Sequence, residues 1–156
     1  MEFPQTCHPD TVAIHDYWLS KCAGRTMPAR ADLDPVEMPR HWLRGICIVD
    51  VVDDERRYVY RLVGTGDVEV RGNDPTGKSV REGFFGPTAE DALGCYDKVV
   101  STQAPLLDST PFTSADGRYV TIETIFLPLS EDGVGVSKIL VFSHSEGVLR
   151  FTTNSG

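Results

Sequence analysis

The strongest constraint on this chain is a pair of β-forming runs around a polar turn. Residues 46–52 are rich in Ile and Val, Asp53-Asp54-Glu55-Arg56 is the turn, and residues 58–63 alternate Tyr58, Tyr60 and Leu62 against Val59, Arg61 and Val63. Period-two alternation across a short polar turn predicts an antiparallel hairpin. Three more strands follow late in the chain. Residues 106–113 form one that lies at an edge or carries a bulge, because Pro111 cannot donate to a ladder. Ser114-Ala115-Asp116-Gly117 is a hairpin turn, 118–129 a long strand, 130–135 a Gly-containing loop and 138–144 the last strand. Strands joined by hairpins favour one antiparallel sheet, with helices covering a face of it.

The helices are read from a different period. Ile14, Tyr17, Trp18 and Cys22 recur three and four positions apart, which makes an apolar stripe on an amphipathic helix over 9–22, with Asp10 as cap and Gly24 as stop. That stripe must bury itself on the domain or on a second copy of the chain. Asp34-Pro35-Val36-Glu37 combines a cap, a first-turn proline and a following acid, and Pro39 breaks what comes next into another short turn over 39–43. Residues 64–72 are open between helix and loop. Thr88 caps a helix carrying Ala89, Ala92, Leu93, Tyr96, Val99 and Val100, which Pro105 closes. The class is α+β.

A chain of 156 residues suits one domain and can bury enough surface to fold without metal or disulfide. The net charge of −8 repels polyanions, so neither nucleic acid nor an anionic membrane is expected as partner. Arg25 with Arg30, and Arg56 with Arg57, are read as parts of a mixed, solvated surface. Cys7, Cys22, Cys47 and Cys95 form no C-x-x-C pair, no secretory leader opens the chain, and no apolar run reaches the ~20 residues of a membrane helix. A cytoplasmic protein with reduced thiols is the expectation.

Several local sequences then follow one another in a telling order. They are Tyr17-Trp18-Leu19, Met27-Pro28-Ala29-Arg30, Asp34-Pro35, Tyr60-Arg61-Leu62-Val63-Gly64-Thr65-Gly66, Gly72-Asn73-Asp74-Pro75-Thr76-Gly77-Lys78, Asp116-Gly117-Arg118-Tyr119 and Leu127-Pro128-Leu129-Ser130. Together they resemble a bacterial PAS-like family of small, often stand-alone single-domain proteins, over residues 17–142. The resemblance implies a PAS-like five-stranded antiparallel sheet in the order 2-1-5-4-3, with helices inserted between the second and third strands and a ligand cavity between sheet and helices. It divides the chain into an N-terminal helical extension (1–26), a PAS-like domain (27–145) and a C-terminal tail (146–156). It implies a sensory, signalling or protein-interaction module and not an enzyme. The expected partners are a second copy, as a homodimer, and a signalling protein of unknown identity, with a small-molecule ligand in the cavity.

Tyr60, Trp42, Tyr96 and Phe126 are the candidate cavity lining; the bland alternative is that all four fill the core, as large aromatics mostly do. No cofactor is assigned. Cys7, His8, His15 and Cys22 offer metal-binding atoms in one stretch but lack the close pairing of structural zinc sites, so no metal is expected. None of the four histidines lies on the 64–98 segment where a haem ligand is expected, and His144 is read as an exposed strand end. Flavin photochemistry needs a reactive cysteine beside Asn and Gln; Cys95 in Gly94-Cys95-Tyr96 lacks them and is read as a surface thiol. Gly64-Thr65-Gly66 lacks the spacing of a phosphate loop. The competing class is a small-molecule enzyme of the same cupped shape. There Asp50 or Glu123, which interrupt apolar strands, would turn inward beside Arg61; the alternative is a surface ion pair across the sheet.

Overall fold

The computed structural model describes residues 1–109, 111–113, 117–145 and 149–150. The hairpin forms as the alternation requires. β1 (Ile46–Val51) and β2 (Tyr58–Val63) pair antiparallel, with a register shift that places Ile48 opposite Leu62 and Val49 opposite Tyr60. Arg61 is therefore the extra residue of a bulge. β3 (Leu106–Asp108), β4 (Ile122–Leu129) and β5 (Lys138–Ser145) complete a five-stranded sheet in the order β2-β1-β5-β4-β3, every pairing antiparallel. That is the α+β architecture and the 2-1-5-4-3 order that the resemblance implied.

Two strand bounds differ from expectation. The 106–113 strand ends at Asp108, short of Pro111, which has no N–H to offer a neighbour. The 118–129 strand divides: Arg118–Val120 leaves the main sheet and joins Phe112–Thr113 and Leu149–Arg150 in a small second sheet. The expected turn at 114–117 falls outside the described residues except for Gly117. Of the tail, only Leu149–Arg150 falls within them.

Among the described residues the α-helices are α1 (Pro9–Cys22), α2 (Thr65–Arg71), α3 (Val80–Gly83) and α4 (Ala89–Thr102). The cap of α1 is His8 and not Asp10: with Pro9 at the first helical position, the His8 ring accepts from the Asp10 N–H at 3.1 Å. Thr88 caps α4 by accepting from the Asp91 N–H at 3.0 Å. Asp34 caps the short turn Pro35–Glu37 through the Val36 N–H at 2.9 Å. The ambiguous 64–72 segment is helical. Gly64 starts it because a Cβ there would collide with the backbone of Leu43 and Arg44, and Gly72 ends it at φ 86°.

Alternation along the central strands assigns the layers. On β4, Glu123, Ile125, Leu127 and Leu129 face α1; Thr124 and Phe126 face α4. The sheet is thus covered on both sides. α2, α3 and α4 roof the inner face, and α1 closes the outer one, burying Thr11, Ile14, His15, Trp18 and Cys22. The α1 stripe is buried on its own domain. Trp18 Nε1 donates to the Pro128 carbonyl at 2.8 Å, which ties the helix to β4.

Candidate functional site

Between the inner face and the helical roof lies a cavity of about 260 Å3. Tyr60 from β2, Tyr96 from α4 and Phe126 from β4 line it, three of the four residues singled out from the sequence. Tyr96 meets Phe126 edge-on, centroids 5.2 Å apart, and stacks on Tyr58 at 5.2 Å. Trp42 is a correction. It sits on the short helix Arg40–Gly45, which leads into β1 from the outer side, and packs on the outward Phe142 at 6.2 Å. The sequence marks Trp42 as buried, but only the path of the chain decides on which face.

The polar part of the cavity comes from α2, the segment the sequence left undecided. Asp67 and Arg71 are one turn apart, and Arg71 Nε donates to Asp67 Oδ2 at 3.3 Å with both side chains buried. Arg71 also donates to the Gly83 carbonyl at 2.7 Å and to the Tyr60 hydroxyl at 3.3 Å. Its guanidinium stands 4.8 Å from the Tyr60 ring centre and 5.8 Å from that of Phe85. From below, the Cys47 thiol donates to Asp67 Oδ2 at 2.7 Å. Burial, and then the Asp67 carboxylate, push the Cys47 thiol well above its ordinary range. Burial works against the Arg71 charge, yet Tyr60 and Asp67 hold its pKa above the usual guanidinium value. Such a pair survives burial because its donors and acceptors are matched. The i, i+4 spacing of opposite charges was the signal in the sequence that could have found it.

Cys95, read from the sequence as a surface thiol, is a half-buried free thiol that lines the cavity. Burial first, then Asp108 and Asp91, push its pKa up to about 11. The described lining contains no Asn or Gln, so the residues present do not fit the side-chain amides expected around a flavin.

The outer face is arranged otherwise. Glu123 accepts from the His8 N–H at 3.1 Å and from the Thr11 hydroxyl, holding the start of α1 against β4. Asp50 pairs with Lys138 at 2.8 Å and Arg61 at 3.4 Å. Both carboxylates thus face away from the inner cavity. The paired arginines of the sequence belong to a mixed-charge surface: Arg25 meets Asp32 at 2.8 Å, Arg56 meets Asp54 at 2.6 Å and Arg57 meets Asp97 at 2.6 Å.

A wider, open cavity of about 530 Å3 adjoins the first and shares Asp67, Ile122 and Ser143 with it. His8, His41 and His144 line it. His144 is no bare strand end, for its ring lies on His8 at 3.5 Å, while His41 binds Asp10 at 2.9 Å. His15 is elsewhere, packed between Phe3 and Trp18, and the Cys22 thiol donates to the Trp18 carbonyl at 3.5 Å. The stretch Cys7, His8, His15 and Cys22 therefore does not converge, and among the described residues no group of His, Cys, Asp or Glu is placed to hold a metal ion. No helix among them is long and apolar enough to cross a membrane.

Known structures share this architecture. The light-state LOV domain of the blue-light photoreceptor Aureochrome1 is 12% identical at a TM-score of 0.53, covering 69% of this chain and 85% of that one. The LOV domain of the Erythrobacter litoralis EL346 blue-light activated histidine kinase is 14% identical at 0.51, covering 65% and 94%. The Ile74Val variant of Vivid is 11% identical at 0.53, covering 94% and 99%. At these identities the likeness is one of fold. No curated protein sequence matches the chain. A family model described as PAS domain matches residues 6–141, taking in α1, the whole roof and all but the end of β5. With the strand order and the roofed cavity in agreement, the chain belongs to the PAS domain family.

Proposed function

We propose that this PAS domain is a sensory module that takes a small molecule into its inner cavity and passes the event to a partner through α1. The observation that carries the reading is the cavity itself: four aromatic rings and a matched buried ion pair line space that a plain core would fill. β4 and β5 link it to the outer face, because alternate residues serve opposite sides. Thr124 and Ser143 line the cavity, while their neighbours Glu123 and His144 contact the start of α1. A ligand that shifts the inner residues thereby acts on the attachment of α1 one residue away. In this reading residues 27–145 are the sensing unit and 1–26 the extension that carries the signal to a second copy or to a signalling protein. The light-state dimer of the fungal blue-light photoreceptor Vivid, whose fold this chain shares, supports association as the output. Binding without turnover is favoured because Asp50 and Glu123 are already engaged on the far side of the sheet. The free thiols fit a cytoplasmic setting.

Native mass spectrometry before and after denaturation tests the reading. A retained molecule, together with a concentration-dependent dimer in light scattering, is expected. Chemical conversion of that molecule by the protein would favour the enzyme instead. A lone 17.2 kDa species at every concentration removes the homodimer.

A further inference from the structure

Size, charge and donor supply in the inner cavity narrow what it can hold. At about 260 Å3 it lies below the ~300–1,000 Å3 of pockets for drug-sized ligands, so a single ring is the natural occupant. Tyr60, Tyr96 and Phe126 offer flat or edge-on ring contacts. An Arg side chain carries five N–H donors. Arg71 directs three of them to Asp67, Gly83 and Tyr60, and the others meet no acceptor among the described residues.

Charge then sets the class. Asp67 cancels Arg71, and the described lining holds no second cationic side chain. A carboxylate ligand would enter a space whose one counter-charge is already matched. A cation would be drawn to the exposed Asp91, but at the rings it would compete with Arg71, whose guanidinium already stands over Tyr60. We propose that the inner cavity selects an uncharged, single-ring aromatic molecule bearing an acceptor oxygen, its ring against Tyr60, Tyr96 and Phe126 and its oxygen on the guanidinium of Arg71. This inference rests on the sensory reading above and names its ligand class.

The test titrates the purified full chain with benzamide, benzoate and benzylamine, by calorimetry and ligand-observed NMR. Benzamide should bind about tenfold or more tightly than either charged analogue, the effect of one buried polar mismatch. Arg71→Lys keeps the charge but loses the planar fork, and should weaken benzamide by about tenfold. Asp67→Asn leaves Arg71 uncompensated and should turn the preference towards benzoate. Equal or tighter binding of benzoate or benzylamine to the wild-type chain overturns the proposal without any variant needing to fold. If none of the three probes binds while native mass spectrometry finds a retained molecule, the ligand class is wrong and the sensory reading stands. If neither probe nor retained molecule is found, both fall.

Discussion

The two faces of the central sheet are made by the same strands and packed to opposite ends. On the outer face, Ile125, Leu127 and Leu129 are fully buried beneath α1, a 14-residue helix whose Ile14 and Trp18 close over them. On the inner face, the roof is assembled from a 7-residue helix, a 4-residue turn of helix and α4, joined by segments rich in Gly and Pro. One long amphipathic helix follows a twisted sheet closely. Several short pieces meet it at separate points, and the space between them is the cavity. The polar groups divide the same way. Glu123 and Asp50 fasten the outer face, whereas Asp67 and Arg71 are buried beside the cavity. The comparison teaches that this domain places its close packing on one side of the sheet and its cavity on the other.

The largest effect expected from that division is Trp18→Ala. It removes a filled contact and the hydrogen bond to Pro128, and should lower unfolding free energy by about 3–5 kcal/mol. Phe126→Ala on the inner face should cost less, since one side of that ring already borders the cavity. Chemical denaturation of the two variants checks the order, and an equal or greater loss at Phe126 would break the comparison. Next is Arg71→Met, which leaves the buried Asp67 carboxylate without its cation and should destabilise by about 3–5 kcal/mol. Adding Asp67→Leu to that variant should recover most of the loss while abolishing any ligand binding, a separation of stability from function that thermal unfolding and calorimetry resolve together.

A smaller effect is expected at Glu123→Ala, which orphans the buried Thr11 hydroxyl and the His8 N–H. About 1.5–3 kcal/mol should be lost. Amide exchange should quicken over 9–22 and stay slow in β1 and β5. Uniform acceleration would mean that α1 is no separable latch. The smallest is a pH effect. Burial lowers the pKa of His15 beneath its ordinary 6.5, so its unfolded form binds the proton more readily. The stabilisation from keeping it neutral is present above pH 6.5 and is lost as pH falls below that value through the folded pKa. The urea midpoint should therefore drop between about pH 7.5 and 5.5, and less so in His15→Leu.

Much of the fold was legible. The hairpin at 46–63, the α1 stripe, the Thr88 cap and the closing strand all rest on local rules, period two or period 3.6 with known stop residues. The strand order came from a resemblance carried by turn sequences in a fixed succession. The site was legible only in part. Tyr60, Tyr96 and Phe126 were found because large rings beside a roofed sheet are the usual lining. Trp42 has the same composition signal and lies on the other face. Asp67 and Arg71 were passed over because Gly64, Gly66 and Gly72 obscured the short helix that holds them, and Cys95 because its place beside the apolar stripe reads as exposure.

The sequence by itself determined where the hairpin, α1, α4 and the closing strand lie and much of what they must bury, since caps, breakers and periodicity act over a few neighbouring residues. Only the tertiary structure decided that α1 closes the outer face, that the 118–129 run is shared between two sheets, and that Asp67 on one helix accepts from the Cys47 thiol of a distant strand. Those outcomes depend on how twisted layers meet across long loops. No local propensity encodes which side of a sheet a helix will reach, or how much room is left when several short helices cover it.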